Sequence, residues 1–325
     1  MSRAEIEYMQ PVTLAMDRTR RILFQPFDIA KWFALGFTAW LAQLLEGGGG
    51  SVSYRQNFDG SGGKVSFNGW EDVKLQAEQA LDGLGTQLSW IIPVAIVLVL
   101  LALAVGVALL WLSSRGKFMF LDNVVHNRAL VKQPWHQFRM QGHSLFWWRL
   151  VFYILVGSVF LTITGVAGFF LIPSFDANDF RPEWIAGVVA GVTALVLSGM
   201  ALTYVSFLLN AFVVPIMFKH SLSATAAWGR VIALHGEQLG AIILFALMRL
   251  VLAIVSVLVI FLLVIFTCCI GGIILAIPYL GTVALLPMFV FFQSLSLEFL
   301  RQFGPEFDVW ERLEGGPDSP PSLPS

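Results

Sequence analysis

Leu112-Ser-Ser-Arg-Gly-Lys-Phe-Met-Phe-Leu-Asp-Asn-Val-Val-His-Asn-Arg128, continuing through Pro134-Trp-His-Gln-Phe-Arg139 to Trp147-Trp148-Arg149, is the stretch that decides the fold. It lies between two long apolar runs and carries six cations (Arg115, Lys117, Arg128, Lys132, Arg139 and Arg149) against one carboxylate, Asp122. Lys and Arg beside apolar spans mark the cytoplasmic face of a membrane protein, and tryptophans flanking spans sit at headgroup level. These six cations, with Trp135, Trp147 and Trp148, are therefore the candidates for contact with lipid headgroups.

The composition agrees with that reading. Of the 325 residues, 57% are hydrophobic and only 13% charged. A soluble domain carries about 25% charged residues, so lipid is the expected solvent for much of this chain. The net charge of −1 gives no reason to expect a nucleic-acid partner. The two cysteines, Cys268 and Cys269, are adjacent in an apolar stretch and have neither disulfide-framework nor metal-knuckle spacing. The first 26 residues are polar and read as a cytoplasmic segment, not a signal peptide.

Six apolar runs follow within residues 27–297, and they predict an all-α, polytopic transmembrane bundle of about six spans with interfacial amphipathic segments. The first, Phe27 to Leu45, is short. A Gly/Ser-rich loop, residues 46–87, is placed outside the cytoplasm, with Glu71 to Leu84 of helix-forming composition. Leu88 to Leu112 is the second span, residues 113–149 form the cytoplasmic basic and aromatic segment, and Leu150 to Ile172 is the third span. An acidic loop from Pro173 to Glu183 leads into Trp184 to Phe218, read as a span to about Leu209 and a bend near Pro215. The fifth span begins at Leu239 or at Leu250, and Arg249 decides which. The sixth run, Ile273 to Leu297, contains Pro278 and Pro287. Residues 298–325 are read as a cytoplasmic tail whose Pro- and Ser-rich end is disordered.

With six spans, one set of loops and termini holds fifteen of the twenty Lys and Arg, and the other set only Arg55, Lys64, Lys74 and Arg181. The positive-inside bias then places both termini in the cytoplasm. A shift of 93 residues lays Phe118 to Trp135 over Ala211 to Trp228, with Trp135 on Trp228. Ala15 to Trp32 reads as a degenerate third copy, and Pro287 matches Pro215. Two explanations stand: an internal duplication, or the shared composition of interfacial segments.

The layout from Phe27 to Leu297, with Arg115-Gly-Lys-Phe-Met-Phe-Leu-Asp122, resembles bacterial six-span inner-membrane families of uncharacterised function. One of them is the membrane domain fused to some glycerophosphodiester phosphodiesterases, although no phosphodiesterase domain is present here. The resemblance implies an inner-membrane bundle and transfers no catalytic residue.

No Walker loop, Gly-x-Ser-x-Gly elbow, His-Glu-x-x-His helix or dinucleotide fingerprint occurs. All five histidines (His126, His136, His143, His220 and His235) fall on the predicted cytoplasmic side. With Asp122 and Glu237 they offer metal-ligand chemistry, yet no pair has helical ligand spacing, and no metal or cofactor is expected. Asn210 and Arg249 are the intramembrane polar candidates. A fifth span that starts at Leu239 buries Arg249 and marks a site. A later start makes it an interfacial cation that snorkels to phosphate, and the sequence favours that alternative. The expectation is a non-enzymatic membrane protein acting through anionic lipids and a protein partner or second copy. A transporter or channel for a small solute or lipid is the alternative.

Overall fold

A computed structural model describes residues 6–46, 88–171, 182–267 and 270–311. Most of the loop after Glu46, the segment Glu71 to Leu84, the acidic loop up to residue 181, Cys268, Cys269 and the Pro/Ser-rich end lie outside these residues.

Every long apolar run becomes helix. The order is α1 (Met9–Phe24), α2 (Ile29–Gln43), α3 (Leu88–Val125), α4 (Lys132–Gln137), α5 (Arg139–Leu171) and α6 (Pro182–Leu208). A π-helical turn, Leu209–Val213, leads into α7 (Val214–His220), then α8 (Ala224–Phe266), α9 (Ile270–Ala276), α10 (Pro278–Ala284) and α11 (Leu286–Arg301). Four stretches, Ile92–Val125, Arg139–Val166, Gly187–His220 and Ala224–Phe266, are long and apolar enough to cross a membrane. The pair α10 and α11, bent by 63°, makes up to five. The first apolar run is different: α2 has 15 residues, about 22 Å of helix against a hydrocarbon core of about 30 Å. Its start is fixed by Asp28, whose side chain accepts from the Ala30 N–H at 2.8 Å.

The chain forms two compact units. One comprises Ser53–Ala108 and Phe152–Met200. Its described parts are apolar stretches of α3, α5 and α6, and they expose nearly every side chain from Ile92 to Ala108 and most of those from Val188 to Met200. Surfaces that apolar and that extensive require lipid or another chain to cover them.

The other unit comprises Met1–Val52, Leu109–Val151 and Ala201–Ser325, and it contains the buried core. Phe245 of α8 and Phe299 of α11 stack with centroids 3.9 Å apart, and Phe212 meets Phe299 edge-on. Trp148 of α5 stacks on Trp228 of α8 at 4.9 Å. Gly116 of α3 lets that helix approach α2, because a β-carbon there would lie 2.6 Å from the Ala42 backbone nitrogen. The Glu7 N–H donates to the Gln302 side chain at 2.9 Å, and Gln302 Nε2 donates back to the Glu7 carbonyl at 2.8 Å. Residues near both termini therefore share one end of this unit. Arg18 of α1 bonds Glu298 of α11 and lies 3.6 Å from the Trp310 ring centroid.

The basic stretch is not a separate interfacial segment. Residues Leu112 to Val125 continue α3, and from Ser113 onward most of their side chains are buried. The helix ends in a turn that its own side chains brace. Asn123 pairs with the Leu130 backbone through both its amide atoms at 2.9 Å. Asn127 takes the left-handed conformation there, φ 51°, which asparagine tolerates. The stretch 93 residues further on ends in a similar way, since α7 stops at Ser221 with φ 53° and α8 follows. Pro215 and Pro287 each occupy the second position of a helix. Helix α8 kinks at Gln238, φ −129°, ψ 35°, the residue before Leu239, the earlier of the two starts considered.

Candidate functional site

Five helical regions bring polar groups into one cavity of about 280 Å³. Gln43 and Glu46 come from the end of α2, Lys117 from α3, Asn210 from the π-helical turn, Arg249 from α8 and Gln293 from α11. The rest of the wall is apolar: Ala42, Phe120, Val214, Ala253, Met288, Phe289 and Phe292.

Glu46 Oε1 accepts from Lys117 Nζ and from Asn210 Nδ2, the latter at 3.1 Å, and Arg149 Nη2 lies 3.7 Å from the same oxygen. Lys117 Nζ also donates to Asn210 Oδ1. Burial pushes the Glu46 carboxyl upward, but Lys117 and Arg149 with the Lys117 and Asn210 hydrogen bonds outweigh it and hold the group below the ordinary carboxylate range. Arg149 is 1% exposed. Its Nη1 reaches Ser113 Oγ at 3.2 Å, and Ser113 in turn donates to the Ala42 carbonyl at 3.0 Å.

The other side of the cavity is cationic. Arg249 Nη1 donates to Ser296 Oγ at 2.6 Å, and its guanidinium carbon sits 5.5 Å and 5.7 Å from the Phe292 and Phe207 ring centroids. Gln293 Nε2 is buried and has no hydrogen-bond partner among the described residues. Such a donor in a cavity wall calls for an acceptor.

The two intramembrane polar candidates, Asn210 and Arg249, thus meet in one site. Arg249 lies eleven residues beyond the kink at Gln238, about 16 Å along the helix, with its guanidinium turned to Ser296 and near the Phe207 and Phe292 rings. The headgroup candidates divide. Lys117 and Arg149 differ from the expectation: both are buried in protein and face Glu46. Arg128 is half-buried and holds Asp122 with two bonds of 2.8 and 3.0 Å. Arg115 is half-buried between the rings of Trp111 and Trp135, 4.5 and 4.8 Å from their centroids. Lys132, Arg139 and Trp147 are exposed, as headgroup contacts require. Trp148 is half-buried against Trp228.

The histidines have separate surroundings. His126 lies 3.1 Å from Asp122, His143 Nε2 accepts from Trp147 Nε1 at 2.9 Å, and His220 Nε2 meets the Glu306 carbonyl at 2.8 Å. His235 packs beside Tyr204, and His136 is exposed. Among the described residues no three of His, Cys, Asp and Glu converge on a metal position.

Sequence reasoning missed Glu46, read as the first residue of a loop, along with Gln43, Gln293 and Ser296. One signal was at hand. Lys117 and Asn210 are 93 residues apart, the same spacing as the shift that lays Phe118 to Trp135 over Ala211 to Trp228.

No curated protein and no solved structure matches the chain. A family model does match, over residues 8–309, and so covers both sides of the cavity. The chain is a member of that family, described as a family of unknown function (DUF7544).

Proposed function

We propose that this chain is a non-enzymatic integral membrane protein of a bacterial inner membrane that acts through lipid and partner contacts, with its polar cavity admitting a lipid headgroup or a small solute. The cavity carries the reading. Its cations, carboxylate and amides are collected among helices of which several are long and apolar enough to cross a membrane. Charged groups at that level are costly and mark sites. The exposed Lys132, Arg139 and Trp147 supply headgroup contacts, each cation near an anionic surface contributing about 1 kcal/mol. The cation bias and the shared location of the termini support a cytoplasmic placement for both. The resemblance in layout to the membrane domain of some glycerophosphodiester phosphodiesterases supports an inner-membrane bundle.

A transporter or channel is the second reading. It is favoured by the break at Leu285 and the π-helical turn at Leu209–Val213, both bordering the cavity, since discontinuous helices recur at transport sites. Native mass spectrometry after mild extraction from the original membrane separates the readings. A retained lipid or a partner at fixed stoichiometry supports the first. A bare monomer whose solute flux in liposomes is lost on Arg249→Ala supports the second.

A further inference from the structure

We propose that the cavity binds a phosphate-type oxyanion, free or carried on a lipid head, and that Glu46 is the internal counter-ion this anion displaces. The inference rests on the cavity being a ligand site, and it adds the ligand's chemistry and how the empty site is kept neutralised.

The charge arrangement comes first. Among the described residues, Lys117 and Arg249 line the cavity with one carboxylate, Glu46, so two cations face one anion. Cations out of water are stable when paired with anions, and the surplus here is positive. Donor geometry comes second. The Lys117 ammonium, the Arg249 guanidinium and the unpartnered Gln293 amide project from three different helices. A tetrahedral anion offers oxygens in three directions, and a guanidinium suits phosphate oxygens in particular. Space comes third. About 280 Å³, against about 30 Å³ per water, holds an anion of several heavy atoms together with water.

Glu46 already shows the recognition in miniature. Its Oε1 gathers the Lys117 ammonium and the Asn210 amide and lies close to Arg149, a set of donors that a phosphate oxygen would engage in the same way. An entering anion must compete with this carboxylate for Lys117. Binding is then an exchange of one anion for another at Lys117: the displaced Glu46 carboxylate keeps Arg149, whose Nη2 lies 3.7 Å from its Oε1, and Arg249 gains an anion that the empty site does not give it.

The test uses the full chain in nanodiscs of phosphatidylcholine, with inorganic phosphate as one probe and phosphatidylglycerol doped into the disc as the other. Glu46→Gln removes the competitor without changing its shape, and one unit charge at contact distance is strong enough to make the variant bind about tenfold more tightly. A gain of binding cannot arise from misfolding, which keeps the test sound even if Arg249→Gln proves unstable. Tighter binding of phosphate by Glu46→Gln, lost in Arg249→Gln, supports a free anion. The same pattern with phosphatidylglycerol alone supports a lipid head. Binding unchanged or weakened in Glu46→Gln overturns the exchange. An uncharged native ligand that Arg249→Gln releases would overturn the oxyanion while leaving the cavity as a ligand site, and a cavity that holds neither kind would overturn both.

Discussion

Lys117 is surrounded in sequence by Arg115, Arg128 and Lys132, so any local window reads it as one more belt cation. Its partners are distant: Glu46 is 71 residues away and Asn210 is 93. Hydropathy sees the run that a residue interrupts and not the carboxylate that neutralises it, which is why Lys117 and Arg149 were misplaced while Asn210 and Arg249, isolated among apolar neighbours, stood out. Removing one member of a buried pair leaves the other uncompensated, so Lys117→Met should cost about 3–5 kcal/mol. The double variant Lys117→Met/Glu46→Gln should recover most of that loss in denaturant unfolding, and simple additivity would show that the two are uncoupled. The depressed Glu46 carboxyl gives a second check. Such a group stabilises the fold above its unfolded value of about 4.3 and loses that contribution as pH falls through the lower folded value. Below about pH 4, the unfolding midpoint of the wild type should fall more steeply than that of Glu46→Gln, and parallel curves would remove the role.

Among the elements, the apolar runs made the long helices readable, since length and composition alone decide whether a segment can span. What they did not reveal was how α3 continues through a basic stretch to Val125. Helix persists there because the charges fold inward onto other elements, so the backbone needs no interfacial break. The π-helical turn at Leu209–Val213 was equally hidden. It adds a residue to the helix ahead of Pro215 and sets the direction from which Asn210 meets Lys117. Gly116 is where one side chain controls two helices. A methyl group there would collide with backbone atoms of Leu41 and Ala42, so Gly116→Ala should destabilise the protein by about 1–3 kcal/mol and lower the thermal midpoint in detergent. An unchanged midpoint would mean that α2 is free to move away.

For the whole molecule, the sequence conveyed the solvent better than the interior. Exposed apolar stretches of α3, α5 and α6 bear out a lipid environment, and residues near both termini meet at one end of their unit. Single cysteines introduced at Ile6 and Glu311 should therefore react together with a membrane-impermeant maleimide, or both be protected, in intact spheroplasts. Labelling of one without the other would contradict the shared end. This meeting of the ends has a practical consequence. Helix α11 supplies Phe289, Phe292 and Gln293 to the cavity wall and, within three turns, Glu298 and Gln302 to the N-terminal segment. A donor and an acceptor fluorophore attached at Ile6 and Glu311 would thus form a built-in gauge. It would report any tilt of α11 as a change in energy transfer, with no label near the cavity and whatever molecule fills it.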